Sequence, residues 1–119
     1  MREERGKIAG NVSVTERYTL WGMIIGDVHV QKTGKFYLRG SIYGNLIVEE
    51  GGRAHIYGTV QGKVTVEPYA KVIHSGIIGG DLLNRGGRLY VELTAKTMGK
   101  IKTKDGTTTF EPKQRYMED

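Results

Sequence analysis

The chain has 119 residues, 38% of them hydrophobic, a formal net charge of +5 and no cysteine. That size gives one domain with a modest core; the absence of thiols excludes a disulfide scaffold or thiolate metal site and fits a reducing, cytoplasmic setting. The charge is mild and spread, with 12 Lys/Arg against 9 Asp/Glu in residues 1–93 and 6 against 4 in residues 94–119, so no basic arm of nucleic-acid type stands out.

In chain order, MREERGKIAG is charged and lacks an apolar stretch, so neither a signal peptide nor a membrane span is expected there. Ile8 and Gly10 already look like the end of a repeat. NVSVTERYTLWGMIIG (11–26) is a 16-residue copy. Three ungapped 18-residue copies follow: DVHVQKTGKFYLRGSIYG (27–44), NLIVEEGGRAHIYGTVQG (45–62) and KVTVEPYAKVIHSGIIGG (63–80). DLLNRGGRLYVEL (81–93) begins a fifth and is one residue short after Arg85. The tail, 94–119, contains IKTKDGTTTF, two alternating runs around Asp105-Gly106 that predict a hairpin. Phe110 and Tyr116 could then cap the last coil.

Aligned, the copies give columns. Repeat position 2 holds Val12, Val28, Leu46, Val64 and Leu82; position 4 holds Val14, Val30, Val48, Val66 and Asn84. Position 10 holds Tyr18, Phe36, Ala54, Val72 and Leu89; position 12 holds Leu20, Leu38, Ile56, His74 and Val91; position 16 holds Ile24, Ile42, Val60 and Ile78. Apolar residues two apart are strand alternation. Short strands with one apolar face gain a common interior only when successive periods stack. Glycine at positions 14 and 18 suits the corners. The expected fold is all-β, a single short parallel β-helix over residues 1–93 with 18-residue coils, about five in number, and a hairpin-like cap at 94–119. A β-sandwich with accidental periodicity is the rival, and an ungapped register argues against it.

The recurring unit, an apolar residue, a spacer, Gly, then Asn or Asp and an aliphatic, stands here as IAGNV, IIGDV, IYGNL and IGGDL, with VQGKV departing at Lys63. Over about residues 6–93 this resembles the bactofilins, bacterial polymer-forming cytoskeletal proteins. The resemblance implies a right-handed solenoid that assembles end to end into filaments without nucleotide. The early start of the coil and the short tail depart from the family's usual flexible ends. The alternative solenoid, the left-handed hexapeptide helix of acyltransferases, prefers glycine directly after its aliphatic residue; here Gln31, Tyr37, Tyr43, Glu49, His55, Gln61 and Glu67 stand there.

No catalytic constellation is visible in the sequence, and no metal or cofactor site is expected. His29 and His55 fall in outward columns on different faces and His74 falls inward, without clustered ligands. Ser13, Ser41 and Ser75 show no base or orienting carboxylate nearby in sequence. The Gly-Gly pairs lack the Lys-Ser/Thr of a phosphate loop.

Two surface signals remain. Position 9 is basic in every copy (Arg17, Lys35, Arg53, Lys71 and Arg88), a ladder of like charge that Glu16, Glu49, Glu50 and Glu67 could neutralise around the corner. Trp21, Met23, Ile25, Tyr37, Tyr43 and Tyr57 fall at outward positions flanking the glycine of position 14, a candidate lateral face. The expected partners are another copy of the chain, or a protein with an acidic surface; nucleic acid is disfavoured because acids interleave with the bases, and membrane contact would be indirect. Self-assembly would use the poles near Ile8, Val12 and Val14 and near Leu89, Val91 and Leu93. The lateral face would instead suit a monomeric binding module, such as an immunity protein that blocks a secreted bacterial toxin.

Overall fold

The computed structural model describes residues 2–112. Its strands are β1 (Arg2–Glu4), β2 (Lys7–Ala9), β3 (Val12–Val14), β4 (Arg17–Leu20), β5 (Met23–Ile25), β6 (Val28–Val30), β7 (Lys35–Leu38), β8 (Ser41–Ile42) and β9 (Leu46–Val48). They continue as β10 (Arg53–Ile56), β11 (Thr59–Val60), β12 (Val64–Val66), β13 (Lys71–His74), β14 (Ile77–Ile78), β15 (Leu82–Val91), β16 (Lys96–Thr97) and β17 (Ile101–Phe110). All pairings are parallel, and they join each strand to its counterpart about one repeat away: Val28 lies beside Leu46 and Leu46 beside Val64. The chain is an all-β solenoid of about six turns. None of the described residues is helical, so no helix is long and apolar enough to cross a membrane.

Three faces result. β3, β6, β9 and β12 form the first; β1, β4, β7, β10 and β13 the second; β2, β5, β8, β11, β14 and β16 the third. β15 spans the first two, its corner shortened by one residue, and joins them into one 11-stranded sheet. The interior is the set of columns read from the repeat. Val28, Val30, Leu38, Ile42, Leu46, Val48, Ile56, Val60, Val64, Val66, Val72, Ile78 and Leu82 are fully buried. Each such side chain contributes roughly 1.5–3 kcal/mol through its removal from water.

The corners explain the motif. Position 14 needs glycine because a Cβ at Gly40 would overlap the carbonyl oxygen of Gly22 in the preceding turn. The Asn/Asp of position 1 acts as a bracket between turns. Asn11 Oδ1 accepts from the Asp27 amide, Asp27 Oδ1 from the Asn45 amide and Asn45 Oδ1 from the Lys63 amide, each at 2.8 Å. Asp81 Oδ1 does the same for the Lys100 amide. These corner amides point along the axis, where no strand partner serves them, so a side-chain acceptor satisfies them. Lys63 carries no acceptor, and the brackets are interrupted there.

The tail does not form a hairpin. IKTKDGTTTF is the single strand β17, paired parallel with β15 from Leu82↔Ile101 to Val91↔Phe110. It is a sixth turn, so the solenoid does not end at residue 93. Asp105-Gly106 marks a bend within it, with Gly106 at φ +82°, beside the register shift around Arg85. Phe110 sits at the rim of this turn; Tyr116 lies outside the described residues.

Asn84 holds the irregular stretch. It takes an inward, fully buried position that is valine in the previous four turns. Its Oδ1 accepts from the Gly86 and Gly87 amides at 3.1 and 2.9 Å, and its Nδ2 donates to the Gly87 and Thr107 carbonyls at 3.2 and 3.0 Å. A buried polar side chain is tolerated because it is fully partnered. Its partners are amides and carbonyls freed where the shortened corner breaks the ladder.

Candidate functional site

Position 9 stacks as the repeat predicts. Arg17 lies beside Lys35, Lys35 beside Arg53, Arg53 beside Lys71 and Lys71 beside Arg88, with Thr107 closing the row. All five cations are exposed. Adjacent rungs are separated by the inter-strand distance of about 4.8 Å, where like charges in water repel by somewhat less than about 1 kcal/mol per pair. Two of the four acids expected to neutralise the row, Glu49 and Glu67, are engaged elsewhere. Glu49 Oε2 lies 2.7 Å from His29 Nδ1, and Glu67 Oε1 lies 3.5 Å from Arg85 Nε. Both contacts lie towards the first face. Among the described residues, Lys35, Arg53, Lys71 and Arg88 have no ion-pair partner. Arg17 rests over the Tyr37 ring, 5.5 Å from its centre.

Beside this row runs position 11, with Tyr37, His55, Ile73 and Tyr90 in register on the second face. Between the rows lies a shallow groove. One depression of 210 Å³ opens over Ala54, between Lys35, Arg53 and Lys71 on one side and Tyr37, His55 and Ile73 on the other. A second, of 360 Å³, continues from Lys71 and Ile73 to Arg88, Tyr90 and Thr109. The groove lies over the backbone of position 10, whose side chains (Ala54, Val72 and Leu89) turn into the core, between two outward rows of long side chains.

The expected lateral face divides in two. Arg17, Lys35, Tyr37, Arg53 and Lys71 belong to the second face and Met23 and Ile25 to the third; Trp21 and Tyr57 sit at the glycine corner between the two, and Tyr43 just past β8 on the third. Trp21 and Tyr57 are also partly committed within the chain. Arg5 and Arg39 flank the Trp21 ring at 5.0 and 5.2 Å, and Arg39 lies 4.1 Å from the Tyr57 ring centre. Column 13 thus alternates Arg5, Trp21, Arg39 and Tyr57, each cation–ring contact contributing about 0.5–1 kcal/mol at an exposed site. Arg5 and Arg39 stand out in the sequence only when position 13 is aligned as a column of its own.

Ser75 does acquire neighbours that its local sequence lacks. Its hydroxyl donates to Glu92 Oε1, and His55 Nε2 lies 3.1 Å from the Ser75 Oγ. The expectation of no base and no carboxylate is therefore corrected for Ser75. The arrangement differs from an activated nucleophile, in which the base takes the hydroxyl proton and the acid orients the base. Here the carboxylate holds the hydroxyl, and the His55 ring stacks on Tyr57 with centres 3.8 Å apart. Burial pushes the His55 pKa down, opposed by Glu92 and reinforced by Arg39. Among the described residues no three of His, Asp or Glu converge as metal ligands would.

His74 is inward and fully buried, as its column predicts. Its Nε2–H donates to the Lys96 carbonyl at 3.2 Å, with Thr97 Oγ1 at 3.1 Å, while Nδ1 has no partner among the described residues. Burial lowers its pKa, against the smaller opposing effect of the Lys96 bond.

The poles differ from expectation. Leu89 and Val91 are covered by β17 and are not at an end. The last turn instead presents Ile101, Thr103, Thr108 and Phe110 in the inward columns, and Phe110, Met98 and Leu93 are 56%, 64% and 51% exposed. At the other end, Ile8 and Val12 are half-buried and Val14 is buried. There the inward positions of β1 are charged, with Arg2 beside Tyr18 and Glu4 beside Leu20. The Arg2 guanidinium lies 4.5 Å from the Tyr18 ring centre.

No family model, curated protein or solved structure matches the chain.

Proposed function

We propose that the chain is a non-catalytic, bactofilin-like structural subunit that self-associates through the ends of its solenoid. The observation that carries this reading is β17. Ten residues long, it has β15 on one side and no strand on the other among the described residues, and exposed Leu93, Met98 and Phe110 lie about it. A long unpaired strand edge with apolar side chains pairs with another chain unless it is covered.

Like poles meet best. Head-to-tail stacking would bury Arg2 and Glu4 against Thr108 and Phe110, which offer neither of them a countercharge. About a two-fold axis, two N-terminal poles can instead pair Arg2 with Glu4 of the other copy, and two C-terminal poles can join β17 edges. Alternating contacts of the two kinds give a filament, and the first alone gives a pair.

Light scattering across a concentration series and negative-stain microscopy, without nucleotide, test this. Assembly that rises with concentration and stops at pairs in Phe110→Lys with Thr108→Lys is expected; a strict monomer at high concentration overturns it.

A second reading is a lateral binding module, for instance an immunity protein that blocks a secreted bacterial toxin. The unneutralised cation row favours it. Partner binding that survives Arg53→Glu combined with Tyr57→Ala would remove its basis.

A further inference from the structure

We infer that the groove on the second face binds a linear acidic polysaccharide with a carboxylate on each sugar, its carboxylates on the Lys35–Arg53–Lys71–Arg88 row and its rings along Tyr37, His55, Ile73 and Tyr90. The inference goes beyond the lateral-binding reading by naming a partner class, and it does not depend on the poles.

Three observations carry it. First, Lys35, Arg53, Lys71 and Arg88 have no ion-pair partner among the described residues although acids lie one corner away, and two of those acids, Glu49 and Glu67, are turned to His29 and Arg85. A row of like charge is suited to an anion that comes from outside. Second, the row is straight and periodic. Its rungs repeat at one coil spacing, about 4.8 Å, and the groove follows them from Lys35 to Thr109. A folded protein offers carboxylates at that regular interval only from an in-register β-ladder, whereas a linear uronan rises by about one coil spacing per sugar, so that every second carboxylate of an extended chain faces the row in step with alternate rungs. Arg53 and Arg88 can grip a carboxylate with two parallel N–H bonds. Third, the wall opposite the cations is apolar, from Ile73 and the ring surfaces of Tyr37, His55 and Tyr90. It suits the C–H face of a sugar.

Single-stranded nucleic acid is the less favoured polymer. It needs free aromatic faces on which bases stack. Position 11 offers no continuous run of rings, because Ile73 stands between His55 and Tyr90 and His55 is already stacked on Tyr57, whereas an aliphatic side chain serves a sugar's C–H face as well as a ring does.

Titration calorimetry with an oligogalacturonate long enough to span the row tests the inference. The same oligomer with its carboxylates methyl-esterified, a single-stranded DNA and a polyglutamate of similar length are the comparison ligands. Arg53→Gln/Lys71→Gln/Arg88→Gln is expected to weaken oligogalacturonate binding about tenfold or more. It should also flatten the salt dependence. Lys100→Gln/Lys102→Gln/Lys104→Gln removes the same charge from exposed positions in the last turn, off the row, and should bind as the parent does. The esterified oligomer should not bind. Absence of oligogalacturonate binding overturns the proposal. So does equal weakening by the two triple variants, or DNA or polyglutamate binding as tightly as the sugar.

Discussion

The middle of the solenoid and its last two turns are built on different terms. From residue 27 to 80 the copies have one length and a nearly unbroken apolar interior, with His74 alone departing. From residue 81 the period slips, and the inward columns turn polar at Asn84, Thr97, Thr103 and Thr108. The middle depends on burial, which is non-directional and forgiving of exact contacts. The end depends on directed hydrogen bonds, which work only where irregular backbone offers unpaired amides and carbonyls. A solenoid can therefore leave its repeat without losing its stack, provided each departure supplies its own partners.

The largest test of that contrast is Leu46→Ala, in the regular middle. It should cost about 2–5 kcal/mol, read by chemical denaturation, and a loss below about 1 kcal/mol would show that the middle is not held by burial. Next is Asn84→Ala, which strands the amides of Gly86 and Gly87 and should cost about 2–3 kcal/mol. Amide exchange should accelerate in β15 and β17 and stay slow in β9 and β10. Uniform acceleration would mean the two regions unfold as one.

His74 sharpens the comparison from the boundary between the two. Its folded pKa is depressed by burial, so its neutral form is the native one. Its contribution is complete above the ordinary histidine value of about 6.5 and is lost as pH falls below it towards the depressed value, because the unfolded chain takes up the proton first. Melting temperature should fall from pH 7.5 to 5, and His74→Leu should remove part of that slope. The remainder belongs in part to His55, which is shifted in the same direction.

The smallest effect concerns a corner. Tyr69 sits at φ +65° after Pro68, in a turn closed by the Ala70 amide on the Glu67 carbonyl. The equivalent residue one turn earlier is Gly51, at φ +77°. Left-handed backbone costs a tyrosine about 1–2 kcal/mol, so Tyr69→Gly should stabilise by up to about 1 kcal/mol despite the added freedom of the unfolded chain. Destabilisation would show that the exposed tyrosine makes a contact of its own.

The same contrast explains what could be read from sequence. The columns of residues 11–91 are legible because period and burial coincide: an inward residue is apolar and recurs. The sixth turn is hidden because the fifth loses one residue after Arg85 and gains two between Val91 and Lys96. Gly99-Lys100-Ile101 does repeat Gly62-Lys63-Val64, but only a register that allows both changes brings them into line. Without it, the alternation around Asp105-Gly106 suggests a hairpin. The cation row was legible as composition. Its lack of neutralisation was not, because which way Glu49 and Glu67 turn depends on His29 and Arg85. The meeting of His55, Ser75 and Glu92 needed adjacent columns of three successive turns to be read together.

The one tryptophan sits between the guanidinium groups of Arg5 and Arg39, so its emission is a local thermometer. It senses the first turns and is blind to β15 and β17. In a stack where each turn touches only its neighbours, loosening at the far end would be visible in circular dichroism while the indole still reported an intact protein. Disagreement between the two signals would reveal from which end the molecule comes apart.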